Sequence, residues 1–153
     1  MILWVRHGQS TWNVLDRLQG QTAHPPLTDL GRAQAAHAAG TLIDAGAVRL
    51  LTSPAVRARE TADIIAGHLG LEVVIEPLLV ERGLDEEITD VLGRIQAFLA
   101  LDHPEHTIAV SHGDTIGLAV GMLSGRPPAL PPNASVTRVD PVTGDVSVTS
   151  PPD

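Results

Sequence analysis

A chain of 153 residues with no cysteine, no lysine and a formal net charge of −8 at pH 7 excludes several chemistries before any motif is read. Without Cys there is no disulfide, thiolate metal site or cysteine nucleophile, and without Lys there is no Walker A lysine, Schiff base or Ser–Lys pair. The acidic balance speaks against a nucleic-acid surface, so an anion site must be a local cluster of arginines and backbone amides.

No apolar run approaches the roughly eighteen residues of a membrane span, and the N-terminus lacks the pattern of a signal peptide. The expectation is a cytoplasmic protein without membrane contact, folded as one domain over residues 1–153. Ile2-Leu3-Trp4-Val5 is continuously apolar and stops at Arg6-His7-Gly8, the pattern of a buried parallel strand. Open α/β sheets bind ligands beyond the carboxyl ends of their strands, so Arg6 and His7 stand where a site is expected. Residues 14–27 are irregular, broken by Asp16, Gly20, Pro25 and Pro26. Thr28 is a predicted N-cap for a helix with Leu30, Ala33, Gln34, His37, Ala38 and Leu42 recurring at three and four, ending at Gly46.

Val48 to Leu51 predicts a second strand. Ser53 reads as the N-cap and Pro54 as the first residue of a helix through Arg57, Thr61, Ile64, Ile65 and Leu69 to Gly70. Leu71 to Ile75 alternates as a third strand, followed by an acidic loop from Glu81 to Asp85. A helix from about Thr89 to Leu101 carries Val91, Leu92, Ile95, Phe98 and Leu99 on one face. Pro104 separates it from a fourth strand, Thr107 to Val110. Ser111-His112-Gly113-Asp114-Thr115 then leads into a helix from Thr115 to Leu123. The proline-rich stretch to Pro132 reads as a surface loop, and Ser135–Val139 and Asp145–Thr149 as a closing hairpin around Pro141–Gly144. The alternation predicts a three-layer α/β sandwich: a largely parallel sheet, helices on both faces and at least one antiparallel strand.

Parallel strands share an edge. Arg6-His7-Gly8, Ser53-Pro54 with Arg57 one turn on, and Ser111-His112-Gly113 can therefore converge although far apart in sequence. Two histidines, two arginines and helix N-termini make a positive pocket on an acidic protein. That suits a phosphoryl group, whose oxygens take bidentate guanidiniums and backbone N–H groups, and a neutral imidazole is a competent nucleophile for phosphorus. His103 and His106 have the spacing of a metal pair but flank Pro104, so they read as loop residues; no metal or other cofactor is expected.

The sequence resembles the histidine phosphatase superfamily, also called phosphoglycerate-mutase-like. The resemblance rests on VRHGQSTWN, LQGQTAHPPLTDLGRAQA, TSPAVRARETA, LVE at Leu79 to Glu81 and VSHGD at Val110 to Asp114, in order and over most of the chain. It implies that His7 is the nucleophile, taking the phosphoryl group as phosphohistidine, while Arg6, Arg57 and His112 hold the phosphoryl oxygens. It implies a phosphate contact for Asn13, with Gln19, Gly20 and Gly113 bordering the pocket. Glu81 would protonate the leaving oxygen and then activate water, although Glu76, Asp85, Glu86 and Glu87 lie nearby.

Larger members carry a helical insertion between the acid and the second histidine, and mutases draw from it basic residues for a second phosphate. Here thirty residues separate Glu81 from His112, with Arg82 and Arg94 as the basic ones, and Gly83-Leu84-Asp85-Glu86-Glu87 replaces the Gly-Trp-Glu-Gly that often follows the acid. The expectation is a short form without the helical lid, a metal-independent phosphomonoesterase acting on a small phosphorylated metabolite or a phosphoprotein. A phosphoglycerate-type mutase and a catalytically silent phospho-ligand binding module are the alternatives. The sequence leaves the oligomeric state open.

Overall fold

The computed structural model describes residues 1–14 and 25–152. Its centre is a six-stranded mixed sheet built from β1 (Ile2–Arg6), β2 (Arg49–Thr52), β3 (Val73–Ile75), β4 (Thr107–Ser111), β5 (Val136–Val139) and β6 (Val146–Thr149), in the order β3-β2-β4-β1-β5-β6. The first four strands are parallel, while β5 runs antiparallel to both β1 and β6. This is the predicted fold class.

Both faces of the sheet are covered, which is why the central strands are apolar without a break. Leu3, Val5, Leu50, Ile108 and Val110 pack on one side against α2 (Asp29–Leu42) and α3 (Val56–Leu69). Trp4, Leu51 and Ala109 alternate to the other side, against α4 (Ile88–Ala100) and α5 (Gly113–Ser124). Among the described residues no helix is long and apolar enough to cross a membrane.

Thr28 caps α2 as expected, its side chain accepting from Gly31 N. The buried face of α2 shares Ala38 and Leu42 with the predicted one and differs in the rest. Gly31, Ala35, Ala38, Ala39 and Leu42 are buried, whereas Leu30, Ala33 and His37 are exposed. The helix turns its small residues inward because its start lies directly on backbone: a Cβ on Gly31 would stand 2.0 Å from the Gln9 carbonyl oxygen, and one on Gly8 would stand 2.3 Å from that of Gly31.

Other boundaries are corrected as well. The helix after β2 starts at Val56 with Ala55 as N-cap, not at Pro54 with Ser53 as cap; the Ser53 hydroxyl accepts from Ala55 N just ahead of the helix and also meets His112. α5 starts at Gly113, two residues early, with His112 at its N-cap. β3 begins at Val73 rather than Leu71. A capping box of Glu87 and Asp90 starts α4 one residue before the expected Thr89. The short helix α1 (Thr11–Val14) and a 3-10 turn, Pro77–Leu79, capped by the Glu76 side chain, were not expected.

Candidate active site

The register of β1 and β4 sets Arg6 opposite Ser111, and His7 N donates to the Ser111 carbonyl at 3.1 Å. The two histidine motifs thus leave the sheet side by side. The His7 and His112 rings lie 5.3 Å apart between centroids at an interplanar angle of 62°.

His7 is fully buried. Its Nδ1 lies 2.7 Å from the Gly8 carbonyl oxygen. A carbonyl only accepts, so Nδ1 carries the hydrogen and the lone pair sits on Nε2. Nε2 is buried and has no hydrogen-bond partner among the described residues. Burial drives the pKa of the ring down to about 3; Arg6 and Arg57 push the same way and outlast the opposing Gly8 contact. At neutral pH the imidazole is therefore uncharged, with its free lone pair in a field of guanidiniums.

The loop behind it is fixed at each main-chain group. Gly8 N donates to Thr61 Oγ1 at 3.0 Å, and the His7 carbonyl accepts from Ala134 N at 3.1 Å and from Asn133 Nδ2 at 3.2 Å. Asn13 Oδ1 accepts from Ser10 N at 2.9 Å, closing the Ser10–Asn13 turn, and Asn133 Nδ2 also lies 3.4 Å from it. Asn13 thus sits beside the nucleophile's backbone.

Arg57, in the first turn of α3, is fully buried and donates from Nη2 to Glu81 Oε2 at 2.8 Å. The same Glu81 oxygen lies 3.9 Å from His112 Nδ1. Burial raises the Glu81 carboxyl above its usual range and Asp114 adds to this, outweighing the lowering by Arg57 and Arg6. His112 is fully buried; burial first, then His7, Arg57 and Arg6, hold it well below its usual pKa. Its Nε2 lies 2.8 Å from Ser53 Oγ, which in turn accepts from Ala55 N at 3.3 Å. Arg6 donates from Nη1 to the Pro131 carbonyl at 2.7 Å. Gly113 lies close to two side chains: a Cβ would stand 3.2 Å from Arg6 Cζ and 2.9 Å from a Leu130 methyl.

Glu81 is carried on backbone held by side chains. Ser111 Oγ donates to the Leu79 carbonyl at 2.7 Å, Thr115 Oγ1 to that of Val80 at 3.0 Å, and Arg94 Nη2 to that of Glu81 itself at 3.4 Å. Three of the four neighbouring carboxylates have other work, and the fourth, Asp85, is exposed. Glu76 caps the 3-10 turn, Glu86 is paired with Arg94, and Glu87 belongs to the capping box of α4.

The structure thus brings together Arg6, His7, Arg57, Glu81, His112 and Gly113, with Asn13 close behind. Gln19 and Gly20 lie outside the described residues. Thr61, Asn133, Thr115, Arg94 and Ser53 in its contact with His112 are supporting residues that sequence reasoning missed. Each acts across at least 35 positions of sequence except Arg94, and no local pattern marks such partners.

The chain is similar to several known proteins. A family profile described as the histidine phosphatase superfamily, branch 1, matches residues 2–86. The protein named probable phosphoglycerate mutase GpmB of Photorhabdus laumondii is 30% identical over 178 residues, covering 89% of this chain and 82% of that protein. The mycobacterial glucosyl-3-phosphoglycerate phosphatase, solved in complex with VO3, superposes with a TM-score of 0.76 at 26% identity over 89% of this chain and 90% of that one. For the fold alone, Bacillus stearothermophilus YhfR gives a TM-score of 0.79 at 24% identity over 97% and 95% of the two chains.

Proposed function

Because the chain belongs to the histidine phosphatase superfamily, we propose that it is a metal-independent phosphomonoesterase acting through a phosphohistidine on His7. The observation that carries the reading is the buried, uncharged His7 ring, with Nδ1–H held by the Gly8 carbonyl and Nε2 without a partner among the described residues. An imidazole in that tautomer is ready to attack.

Nε2 attacks phosphorus, the N–P bond forms and the ester P–O bond breaks. Arg6 and Arg57 meet the charge on the phosphoryl oxygens with guanidinium N–H groups, the task a metal performs elsewhere, and His112 adds a donor. Glu81 gives its proton to the leaving oxygen. As a carboxylate it then takes a proton from water, whose oxygen attacks phosphorus. The N–P bond breaks, phosphate leaves, and both His7 and protonated Glu81 are restored.

Two features support Glu81 in this role. Its raised pKa favours the protonated form that the first step needs. Its partner Arg57 is also a phosphoryl ligand, so an incoming dianion competes for that guanidinium and adds negative charge beside the carboxyl. Both effects raise its proton affinity at the moment the proton is required.

A mutase needs cations for a second phosphate. Arg82 and Arg94 are the basic residues between Glu81 and His112, and both are engaged with Glu86: Arg94 pairs with its carboxylate, and Arg82 Nε donates to its carbonyl at 2.9 Å. This favours hydrolysis. The substrate is a phosphorylated small molecule or protein side chain, and the acidic surface disfavours polyanions.

The test is a panel of phosphoesters with wild type and His7→Ala, in chelator without added metal. Wild type is expected to release phosphate and to carry an acid-labile, base-stable phosphoryl label after rapid quenching; His7→Ala is expected to do neither. Isomerised phosphoglycerate without free phosphate would establish a mutase instead, and ligand binding without turnover a silent binding module.

A further inference from the structure

The reaction places one constraint on the substrate beyond its phosphate: the leaving oxygen must lie at Glu81. A pocket of about 180 Å³ opens beside that position, against the residues that follow Glu81 and His112 in the chain. It is lined by Arg82, the residue after Glu81, and by Gly113, the residue after His112, together with Ile88, Leu118, Ala129 and Leu130. Gly113 is the wall it shares with the phosphoryl site, since the missing Cβ would touch both the Arg6 guanidinium and Leu130.

The far wall is built by close approach. Gly113, Gly117 and Gly121 recur every four residues on one face of α5. A Cβ on Gly117 would stand 2.7 Å from the Ala129 carbonyl oxygen, and one on Gly121 3.1 Å from the Pro128 ring. The proline-rich loop therefore lies directly on the helix and turns Ala129 and Leu130 toward the pocket mouth. Leu130 is 67% exposed and Ile88 47%, so large apolar side chains face solvent beside the candidate active site.

We propose that this pocket receives the alcohol portion of the substrate, and that the protein prefers monophosphates of compact apolar or aryl alcohols over esters bearing a second anion. The inference rests on the phosphatase reading above. In size the pocket matches cavities that elsewhere admit a benzene ring, and it is smaller than the usual pocket for a larger ligand. Its two charged members oppose each other: Arg82, tied to the Glu86 carbonyl, and Asp114, whose field reaches both Arg6 and Glu81. A second anion gains little from Arg82 that Asp114 does not cancel, whereas an apolar group gains the full wall of Ile88, Leu118 and Leu130.

The experiment measures kcat/KM without metal for methyl phosphate, benzyl phosphate and 3-phosphoglycerate, all alkyl esters whose leaving oxygens need the same proton. Benzyl phosphate is expected to exceed methyl phosphate by at least about tenfold, the scale on which apolar pockets discriminate, and to exceed 3-phosphoglycerate. Ile88→Asp and Ala129→Asp each place a charge in the pocket lining, one at the start of α4 and one on the proline-rich loop. Each is expected to cut the benzyl preference to below about threefold and leave methyl phosphate within about twofold of wild type. The acidic residue at the start of α4 is compatible with the helix dipole there. Benzyl phosphate no better than methyl phosphate, or a preference that survives both variants, overturns the pocket assignment while leaving the phosphatase reading intact. No phosphate released from any ester overturns the phosphatase reading and this inference with it.

Discussion

The two halves of the candidate site are held by different means. The nucleophile half sits where β1 and β4 leave the sheet and is fixed first by main-chain bonds: β1 pairs with β4 residue by residue and His7 N continues the ladder to the Ser111 carbonyl, with Thr61 and Asn133 side chains added on the loop beyond. The acid half sits outside the sheet, after the 3-10 turn. Three side chains hold it through carbonyls 79, 80 and 81. Sheet pairing tolerates most side-chain changes, whereas a segment hung on hydroxyls and a guanidinium depends on each of them. The difference suits the proposed chemistry. In that reading attack on phosphorus needs one fixed geometry, while the acid must serve two steps and give up Arg57 to the incoming phosphoryl group.

The largest effect that tests this division is removal of the nucleophile. His7→Ala is expected to lower turnover on the order of 10⁶-fold, the scale seen when a covalent nucleophile is deleted. The loss should be alike for alkyl and aryl phosphates, because both need the same attack. Glu81→Gln separates the halves. It is expected to slow alkyl phosphates by about 10²–10⁴-fold and p-nitrophenyl phosphate by less than about tenfold, since that leaving group departs without a proton. The pH profile should change with it. In wild type, alkyl phosphate turnover falls as pH rises through the elevated Glu81 pKa and falls on the acid side only near the His7 value of about 3. In Glu81→Gln the upper limb should vanish. Equal losses on both substrate types would move the acid role to another carboxylate.

How much of this was legible in the sequence follows the same division. Arg6, His7, Arg57 and His112 could be placed because strand ends of a parallel sheet meet at one edge, and each lies at or just beyond a strand that periodicity reveals. Glu81 follows no strand. Five carboxylates lie between Glu76 and Glu87, and resemblance to a family, not spacing, selected it. The face of α2 was misread for a related reason. Hydrophobic periodicity favours Leu30, but a backbone contact between Gly8 and Gly31 decides which side faces inward, and two glycines carry no hydrophobic signal. Ser53 was read as a cap from its place before Pro54; its hydroxyl accepts from Ala55 N, but its other partner is His112, 59 positions away.

A pH dependence of stability sharpens the picture of the nucleophile half. The folded His7 pKa is depressed to about 3 while an unfolded histidine titrates near 6.5. Between those values the unfolded chain binds a proton that the folded chain refuses, so stability is full above about pH 6.5 and is lost as pH falls. His112 acts in the same direction. His7→Asn removes one of these protons. Between pH 6.5 and 5 it is expected to lose less stability than wild type by about 1.5 kcal/mol, measured by denaturant unfolding. Identical slopes would mean that His7 is not held uncharged by the fold.

The smallest expected effect is the most discriminating for the acid half. Thr115 donates to the Val80 carbonyl from the first turn of α5 and is 2% exposed. Thr115→Val keeps the shape and removes the donor. An unsatisfied carbonyl costs about 1–3 kcal/mol when buried, and Val80 is half-buried, so the lower end is expected for stability. The kinetic consequence depends on what Thr115 does. If it merely holds α5 against the turn, alkyl and aryl phosphates should slow together. If it positions Glu81, alkyl phosphates should slow by about three- to tenfold with p-nitrophenyl phosphate unchanged, because only a misplaced acid distinguishes the two. Thr115→Ser, which retains the hydroxyl, should restore the alkyl rate. The nucleophile half offers the control. Thr61→Val removes the acceptor of Gly8 N at 3.0 Å and should slow both substrate types equally. A substrate split in Thr61→Val, or its absence in Thr115→Val, would show that the two halves are not held separately.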